Sequence, residues 1–425
     1  MTAGRDAWVA RYLSVRAATE ALAEHLSAED QQLQSMPDAS PTKWHRAHTS
    51  WFFEEMLLCP NGREPIEPAY RYLFNSYYDS VGARHPRPRR GLLSRPTVAE
   101  IGDYRRAIDG RMVELLTGAD VATLARLRPL LELGLAHEEQ HQELLLTDVL
   151  HAFSESPLLP TVRPPADMPA FEPVDCGALA WHEHPGGLVQ VGAPDDGDFA
   201  FDNERPRHRV FLEPFALASR PICVREVLEF IRAGGYRTPS LWLSEGFEHA
   251  RAQGREAPAR LRVESDAALV FGVDGEREAW PDEPACHLTY YEADALARFL
   301  GGRLPTEQEW EHAATRHDPN EGNFRESGAL RPRPRAVCEA GLGQLFGDVW
   351  EWTSSAYAAY PGFRPAAGAV GEYNGKFMVN QMVLRGGSCF TPRGHVRGSY
   401  RNFWHPGTNF QMSGARVARS ASSGA

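Results

Sequence analysis

The chain has 425 residues, more than one ordinary core accommodates, so two domains are expected. Its 42% hydrophobic and 24% charged residues describe a soluble globular protein. A formal net charge of −11 argues against nucleic acid or an anionic membrane as the main partner.

The N-terminal stretch, MTAGRDAWVARYLSVRAATEAL, is amphipathic and charged, with no continuous apolar core. It reads as neither a signal peptide nor a membrane span, and the cytoplasm is the expected location. Apolar residues recur at three- and four-residue spacing over 7–26, 44–58, 98–117 and 121–153, which predicts four helices and, from their shared apolar faces, a bundle over 1–155. Asp38 or Ser40 is the expected cap of the second helix, with Pro41 in its first turn. The segment 156–174 carries six prolines and reads as a linker or surface strap, placed at 156–175. From 176 to 425 the texture changes to Gly, Pro, Trp and short apolar runs. Only two helices are expected there, near 223–233 and 290–300, within a fold of long loops. The six cysteines (Cys59, Cys176, Cys223, Cys286, Cys338, Cys389) form no CxxC pair and read as reduced thiols.

The sharpest motif is His137-Glu138-Glu139-Gln140-His141-Gln142-Glu143, inside the fourth helix. Positions i and i+4 share a helix face, so His137 and His141 can meet one metal ion, and Gln140 can reach whatever binds there. The same letters match H-E-x-x-H, which in zinc peptidases makes the glutamate, here Glu138, the general base. Against that stand the polar neighbours Glu139, Gln140, Gln142 and Glu143, and no third ligand at the peptidase position. In the second helix His45 and His48, three apart, offer a further imidazole. Three imidazoles leave coordination positions open for O₂ chemistry, yet they hold catalytic zinc equally well.

Trp44-His45-Arg46-Ala47-His48, followed by Trp51-Phe52-Phe53-Glu54, resembles the N-terminal motif of the ergothioneine-biosynthetic sulfoxide synthases (EgtB-like). His137, His141 and Glu143 match that family's second signature, H-x-x-x-H-x-E, carried on a DinB-like four-helix bundle. The second half is similar to the formylglycine-generating-enzyme type domain, a C-type lectin-like fold. The matching pieces are Gly187–Gly192, Asp202-Asn203-Glu204 with Pro206 and His208, Gly302–Glu307 through Trp310-Glu311, Gly347–Thr353 and Leu384–Ser388. The resemblance thus implies an α+β chain of two domains, and it spans roughly residues 10–420.

The resemblance also implies a chemistry: Fe(II)- and O₂-dependent joining of sulfur or selenium to the imidazole carbon of hercynine, the trimethylated histidine betaine. It names His48, His137 and His141 as iron ligands, with His45 a neighbour and Glu143 supporting a ligand from behind. Aromatic faces suit a quaternary ammonium, so Asn402, Phe403 and Trp404, with Gln140, are the candidates for hercynine. Tyr77 and Tyr78 are the candidate proton donors. Arg87 and Arg90, in a Pro/Arg-rich stretch, are candidates for the donor's carboxylate. The family's usual ending resembles R-W-Q-F-S-G-x-R-x-A, whereas this chain reads Asn409-Phe410-Gln411-Met412-Ser413-Gly414-Ala415-Arg416-Val417-Ala418. Losing the arginine at 409 suggests a donor with fewer charges and more hydroxyls, held by Asn409 and Gln411. That points to the selenoneine synthase (SenA-like) branch, which uses a selenosugar. A cysteine or γ-glutamylcysteine donor is the alternative. A formylglycine-generating enzyme proper is disfavoured because no second cysteine follows Cys389. A non-catalytic sugar-binding module would hold no metal at the helical histidines.

Overall fold

The computed structural model describes residues 2–170, 172, 174–264, 267–336, 341–366, 371 and 374–420; Cys338, read above as a thiol, lies outside them. The chain divides into two compact units, Met1–Val162 with Ala366–Tyr373, and Arg163–Pro365 with Asn374–Ala425. The division therefore falls inside the proline-rich stretch. Packing rather than composition sets these limits. Among the described residues no helix is long and apolar enough to cross a membrane.

The first unit is built from α1 (Thr2–Ala23), α2 (Thr42–Phe53), a single turn α3 (Tyr70–Leu73), α4 (Val98–Gly118) and α5 (Val121–Ser154). Local signals start the last two long helices. Thr97 Oγ1 accepts from the backbone N–H of Glu100, whose carboxylate accepts from that of Thr97, a reciprocal cap. Asp120 accepts from the N–H of Thr123 to start α5. The core joins Tyr12 and Val15 of α1, Trp51 and Phe52 of α2, Ile101, Ile108 and Met112 of α4, and Leu131 and Leu135 of α5.

All twelve residues of α2 are buried, so it is the central helix, and its buried polar side-chain atoms are paired within the unit, the indole N–H of Trp51 excepted. Arg46 forks onto the Glu20 carboxylate, and Lys43 Nζ donates to the Pro96 carbonyl. Ser50 Oγ and Thr49 Oγ1 accept from Arg16 and Arg105. The two histidines turn toward α5. The expected cap of α2 is not formed: Pro41 occupies the N-cap without a side-chain bond. Ser40 is engaged elsewhere, its backbone N–H donating to Asp148 and its hydroxyl accepting from Arg90. The helix expected through 58 changes at Glu54 into one π-helical turn, Glu54–Leu58, whose Glu54 carboxylate takes the hydroxyl of Tyr104 and the N–H of Ile66.

Among the described residues the second unit carries twelve short strands, β1 (Trp181–His184), β2 (Gly187–Val191), β3 (His208–Leu212), β4 (Phe215–Ala218), β5 (Leu261–Glu264), β6 (Ala267–Gly272), β7 (Gly275–Glu278), β8 (Trp350–Ala356), β9 (Met382–Arg385), β10 (Asn402–Trp404), β11 (Ser413–Ala415) and β12 (Ala418–Ser420). They form sheets ordered β1-β4-β12, β10-β9-β8-β11, β2-β3 and β5-β6-β7, antiparallel except for β11 against β8. Beside the expected helices α6 (Val224–Arg232) and α8 (Tyr290–Phe299) stand two more, α7 (Ser244–Ala252) and α9 (Glu307–Ala314). They are 9 and 8 residues long, and unlike α6, also of 9 residues, each carries a single large apolar residue, Phe247 or Trp310, so no periodicity shows. The cap pair Thr306 and Glu309 at the start of α9 was nevertheless written in the sequence. The recurring motifs of this half form its polar core. Glu307 is buried between Arg385 and Arg401, and Glu351 between Arg416 and the indole N–H of Trp310. Gly386, at φ +98°, belongs to the Arg-Gly-Gly motif, and a Cβ there would lie 2.4 Å from the Leu345 carbonyl.

Candidate metal centre

His137 and His141 stand one turn apart on α5, and α2 presents His48 to the same point. The ligand atoms of the three imidazoles all lie within 4.8 Å of one another, and all three residues are buried. His48 Nε2 is 3.1 Å from His137 Nε2. Two nitrogens take about that separation when each sits about 2.1 Å from one ion at close to a right angle. The partners fix which nitrogen is bare. His48 Nδ1 donates to the Phe74 carbonyl at 2.6 Å, leaving Nε2 as a lone pair. His141 Nδ1 meets His45 Nδ1 at 2.8 Å, and its own Nε2 is the remaining atom. His137 Nδ1 is buried with no hydrogen-bond partner, so packing rather than a hydrogen bond holds that ring: Phe52 lies 4.7 Å from it, centroid to centroid.

Electrostatics completes the fit. Burial pushes His48 and His141 well below the usual imidazole range, helped by their neighbouring imidazoles, and pushes His137 down to about 4. All three are therefore neutral at physiological pH, the form that binds a cation. With its hydrogen committed to Phe74, His48 presents a lone pair 3.1 Å from His137 Nε2, a contact satisfied by a hydrogen on His137 in the metal-free chain and by a shared cation when one is bound. The residues present fit a metal ion with three protein ligands and open positions.

Of the other residues singled out in the first unit, the tryptophans of α2 pack directly against this group. Trp44 and Trp51 lie parallel to the His48 ring at 4.6 and 5.6 Å. Tyr78 is buried against Trp51 and Phe52. Half-buried Tyr77 accepts from Arg87 Nη1 at 3.3 Å. Arg90 is 3% exposed, its guanidinium 3.4 Å over the Trp44 ring, and it donates to Ser40 and Ser76. Burial lowers it to about 9. Gln140 is half-buried and Glu143 buried on α5.

Glu138 does not behave as a peptidase base. It is fully buried, accepting from Arg16 Nη1 at 2.8 Å, Arg105 Nη2 at 2.9 Å and Thr19 Oγ1 at 2.6 Å. Burial alone would raise its pKa, but the two guanidiniums hold it at about 2. A carboxylate so stabilised as the anion does not take a proton from water. Sequence reasoning missed this network, and it also missed Asp148, which accepts from His45 Nε2 at 3.0 Å. Asp148 lies seven residues beyond His141, two turns along the same face, a spacing that could have flagged it.

In the second unit, Asn402, Phe403 and Trp404 form β10, paired with β9. Phe403 stacks on Tyr357 at 4.0 Å and on Phe377 at 6.0 Å. Trp404 packs edge-on against Phe410, and its indole N–H is buried without a hydrogen-bond partner. The side-chain amide nitrogen of Gln411, 2% exposed, is likewise unpartnered. Asn409 is half-buried nearby in sequence.

Residues 11–145 match the DinB superfamily, and 183–335 and 316–421 match the sulfatase-modifying factor enzyme 1-like domain. A hercynine oxygenase of Mycolicibacterium thermoresistibile is 32% identical over 416 residues, covering 90% of this chain and 88% of that protein. The chain belongs to the hercynine oxygenase family. A second member, the hercynine oxygenase of Mycobacterium tuberculosis, is 31% identical over 90% of this chain and 91% of its own length. Membership in this EgtB-like family also accounts for the likeness of the second half to a formylglycine-generating enzyme of Thermomonospora curvata. That protein is 26% identical over 41% of this chain and 71% of its own length. The α+β architecture, with a DinB-type helical unit followed by a sulfatase-modifying-factor-type unit, is the family's own.

Proposed function

We propose that the protein is a non-haem Fe(II)- and O₂-dependent enzyme that joins selenium from a selenosugar to the imidazole carbon of hercynine. The alternative donor is cysteine or γ-glutamylcysteine. The observation that carries the iron reading is the convergence of His48, His137 and His141 as neutral, buried imidazoles. Bound there, iron would supply the redox chemistry of O₂. The overall change balances as hercynine C–H plus a selenol and O₂ giving a C–Se(=O) product and water.

The protein's own contribution is binding, orientation and proton supply. Trp44, Trp51 and Phe52 keep the ligand imidazoles dry and fixed in plane. Tyr77 and Tyr78 are the proposed proton donors. The hydrogen bond from Arg87 to the Tyr77 hydroxyl supports Tyr77, and the packing of Tyr78 on Trp51 and Phe52 supports Tyr78. Gln140, Asn402, Phe403 and Trp404 are proposed to hold hercynine, and Arg87, Arg90, Asn409 and Gln411 the chalcogen donor. Glu143 is proposed to support the ligands. The selenosugar preference rests on Asn409, which brings no cation, and on the unpartnered amide N–H of Gln411, a donor suited to a sugar hydroxyl.

The test is anaerobic reconstitution with Fe(II), followed by O₂, hercynine and, in parallel, a 1-selenosugar, cysteine and γ-glutamylcysteine, with products identified by mass spectrometry. A selenium-linked hercynine from the selenosugar alone supports the full reading. Product from a thiol donor alone replaces the donor assignment, and no oxidative product from any donor overturns the function.

A further inference from the structure

We infer that Asp148 and His45 are positioning residues for the metal site: together they lock the ligand His141 in the tautomer that leaves Nε2 bare. The inference rests on the proposed metal centre. Its geometry is a linear chain of three buried groups. Asp148, 5% exposed, accepts the Ser40 backbone N–H at 2.7 Å and faces His45 Nε2 at 3.0 Å, both through Oδ2. His45 Nδ1 then meets His141 Nδ1 at 2.8 Å.

Hydrogen-bond polarity runs along this chain in one direction only. A carboxylate accepts and never donates, so His45 Nε2 carries the hydrogen. A ligand that gives Nε2 to a cation keeps its hydrogen on Nδ1. At 2.8 Å that hydrogen meets His45 Nδ1, which accepts it, and His45 in turn donates from Nε2 to Asp148. The chain thus offers at each nitrogen the partner that leaves His141 Nε2 bare.

The other two ligands are held differently. The Phe74 carbonyl fixes His48 directly, and His137 has no hydrogen bond at Nδ1. His141 is thus connected to a full negative charge through an intervening imidazole. A carboxylate behind a ligating histidine orients the ring and raises its donor strength, and losing such a partner typically costs about 10–100-fold in metal affinity. His45 itself is not a ligand, because both of its nitrogens are used in the chain. Its place on α2, three residues before His48, ties the helix that supplies one ligand to the orientation of another on α5.

Two readouts test this on the full chain. The first is the ring ¹⁵N spectrum of the metal-free protein, which reports the tautomer of His141 without any metal. The expected result is hydrogen on Nδ1 in the wild type and its transfer to Nε2 in His45→Leu. The second is anaerobic Fe(II) titration. His45→Leu is expected to weaken binding by about 10–100-fold. His45→Gln, whose side-chain oxygen can accept from His141 Nδ1–H, is expected to keep most of the affinity. A merely structural role would not give that rescue. Wild-type His141 with its hydrogen on Nε2, or His45→Leu binding Fe(II) as tightly as wild type, overturns the inference. A wild-type chain that binds no Fe(II) overturns the metal centre instead, while the tautomer measurement still decides the chain of hydrogen bonds. Should both variants fail to fold, the wild-type spectrum decides alone.

Discussion

Replacing Glu138 by Gln removes one negative charge from between two buried guanidiniums and leaves the shape nearly unchanged. Glu138 is fully buried, and Arg16 and Arg105, each 2% exposed, both donate to it. Its carboxyl is held at about 2 against an ordinary value of 4.5. At 1.36 kcal/mol per unit, that difference is about 3 kcal/mol of preference for the charged form. Removing one partner of a buried ion pair costs about 3–5 kcal/mol by a separate route, since it strands the remaining charges. Both figures give a loss of about 3 kcal/mol for Glu138→Gln. Urea unfolding of the metal-free chain, followed by far-UV circular dichroism, measures it. The pH dependence has a definite sign. The folded value lies below the unfolded one, so the contribution is complete above pH 4.5 and is lost as pH falls from 4.5 toward 2. The gap between wild type and variant should close over that window. A loss below about 1 kcal/mol at pH 7, no more than a surface pair contributes, would refute the reasoning. A zinc peptidase makes the opposite prediction, a stable variant that has lost a hydrolytic activity.

Single substitutions His48→Ala, His137→Ala and His141→Ala should each weaken Fe(II) binding by more than the about 10–100-fold typical of an outer partner, measured by anaerobic titration with folding checked by circular dichroism. At Gly134 an added Cβ would lie 2.7 Å from Phe53 and 3.0 Å from Phe52, the ring that packs on His137. Gly134→Ala gains about 1 kcal/mol of helix propensity but overpacks by about 1–3 kcal/mol, so a net loss and a lower melting temperature are expected. Trp404→Leu should raise KM for hercynine by about 3–30-fold, the worth of about 0.5–2 kcal/mol of cation–π attraction, with little change in KM for the chalcogen donor. Asn409→Arg restores a cation and should shift the kcat/KM ratio toward cysteine over the selenosugar by about 10–150-fold, a charge-assisted hydrogen bond being worth about 1.5–3 kcal/mol.

Much of this protein was legible in its residue order, because the signals are local. The apolar periodicity of the first 155 residues comes from helices that bury one face, and it located α1, α4 and α5 to within a few residues. Strings such as Gly302–Glu307 and Gly347–Thr353 pointed to the second unit's fold because their charges are its buried struts, Glu307 with Arg401 and Glu351 with Arg416. The spacing of His137 and His141 required one shared face, as any helix does. What tertiary structure alone decided is how polar groups from different helices pair once buried. Nothing local distinguishes Glu138 from Asp148: both are acidic residues on α5, yet one is claimed by Arg16 and Arg105 and the other by His45. Nor does helical spacing separate His45 from His48, three residues apart on α2; the family resemblance implied unlike roles, and only packing has one bridging to Asp148 and the other lying 3.1 Å from His137. A buried charge or lone pair must be satisfied by whatever packing brings near it, and that is fixed by the crossing of helices far apart in the chain.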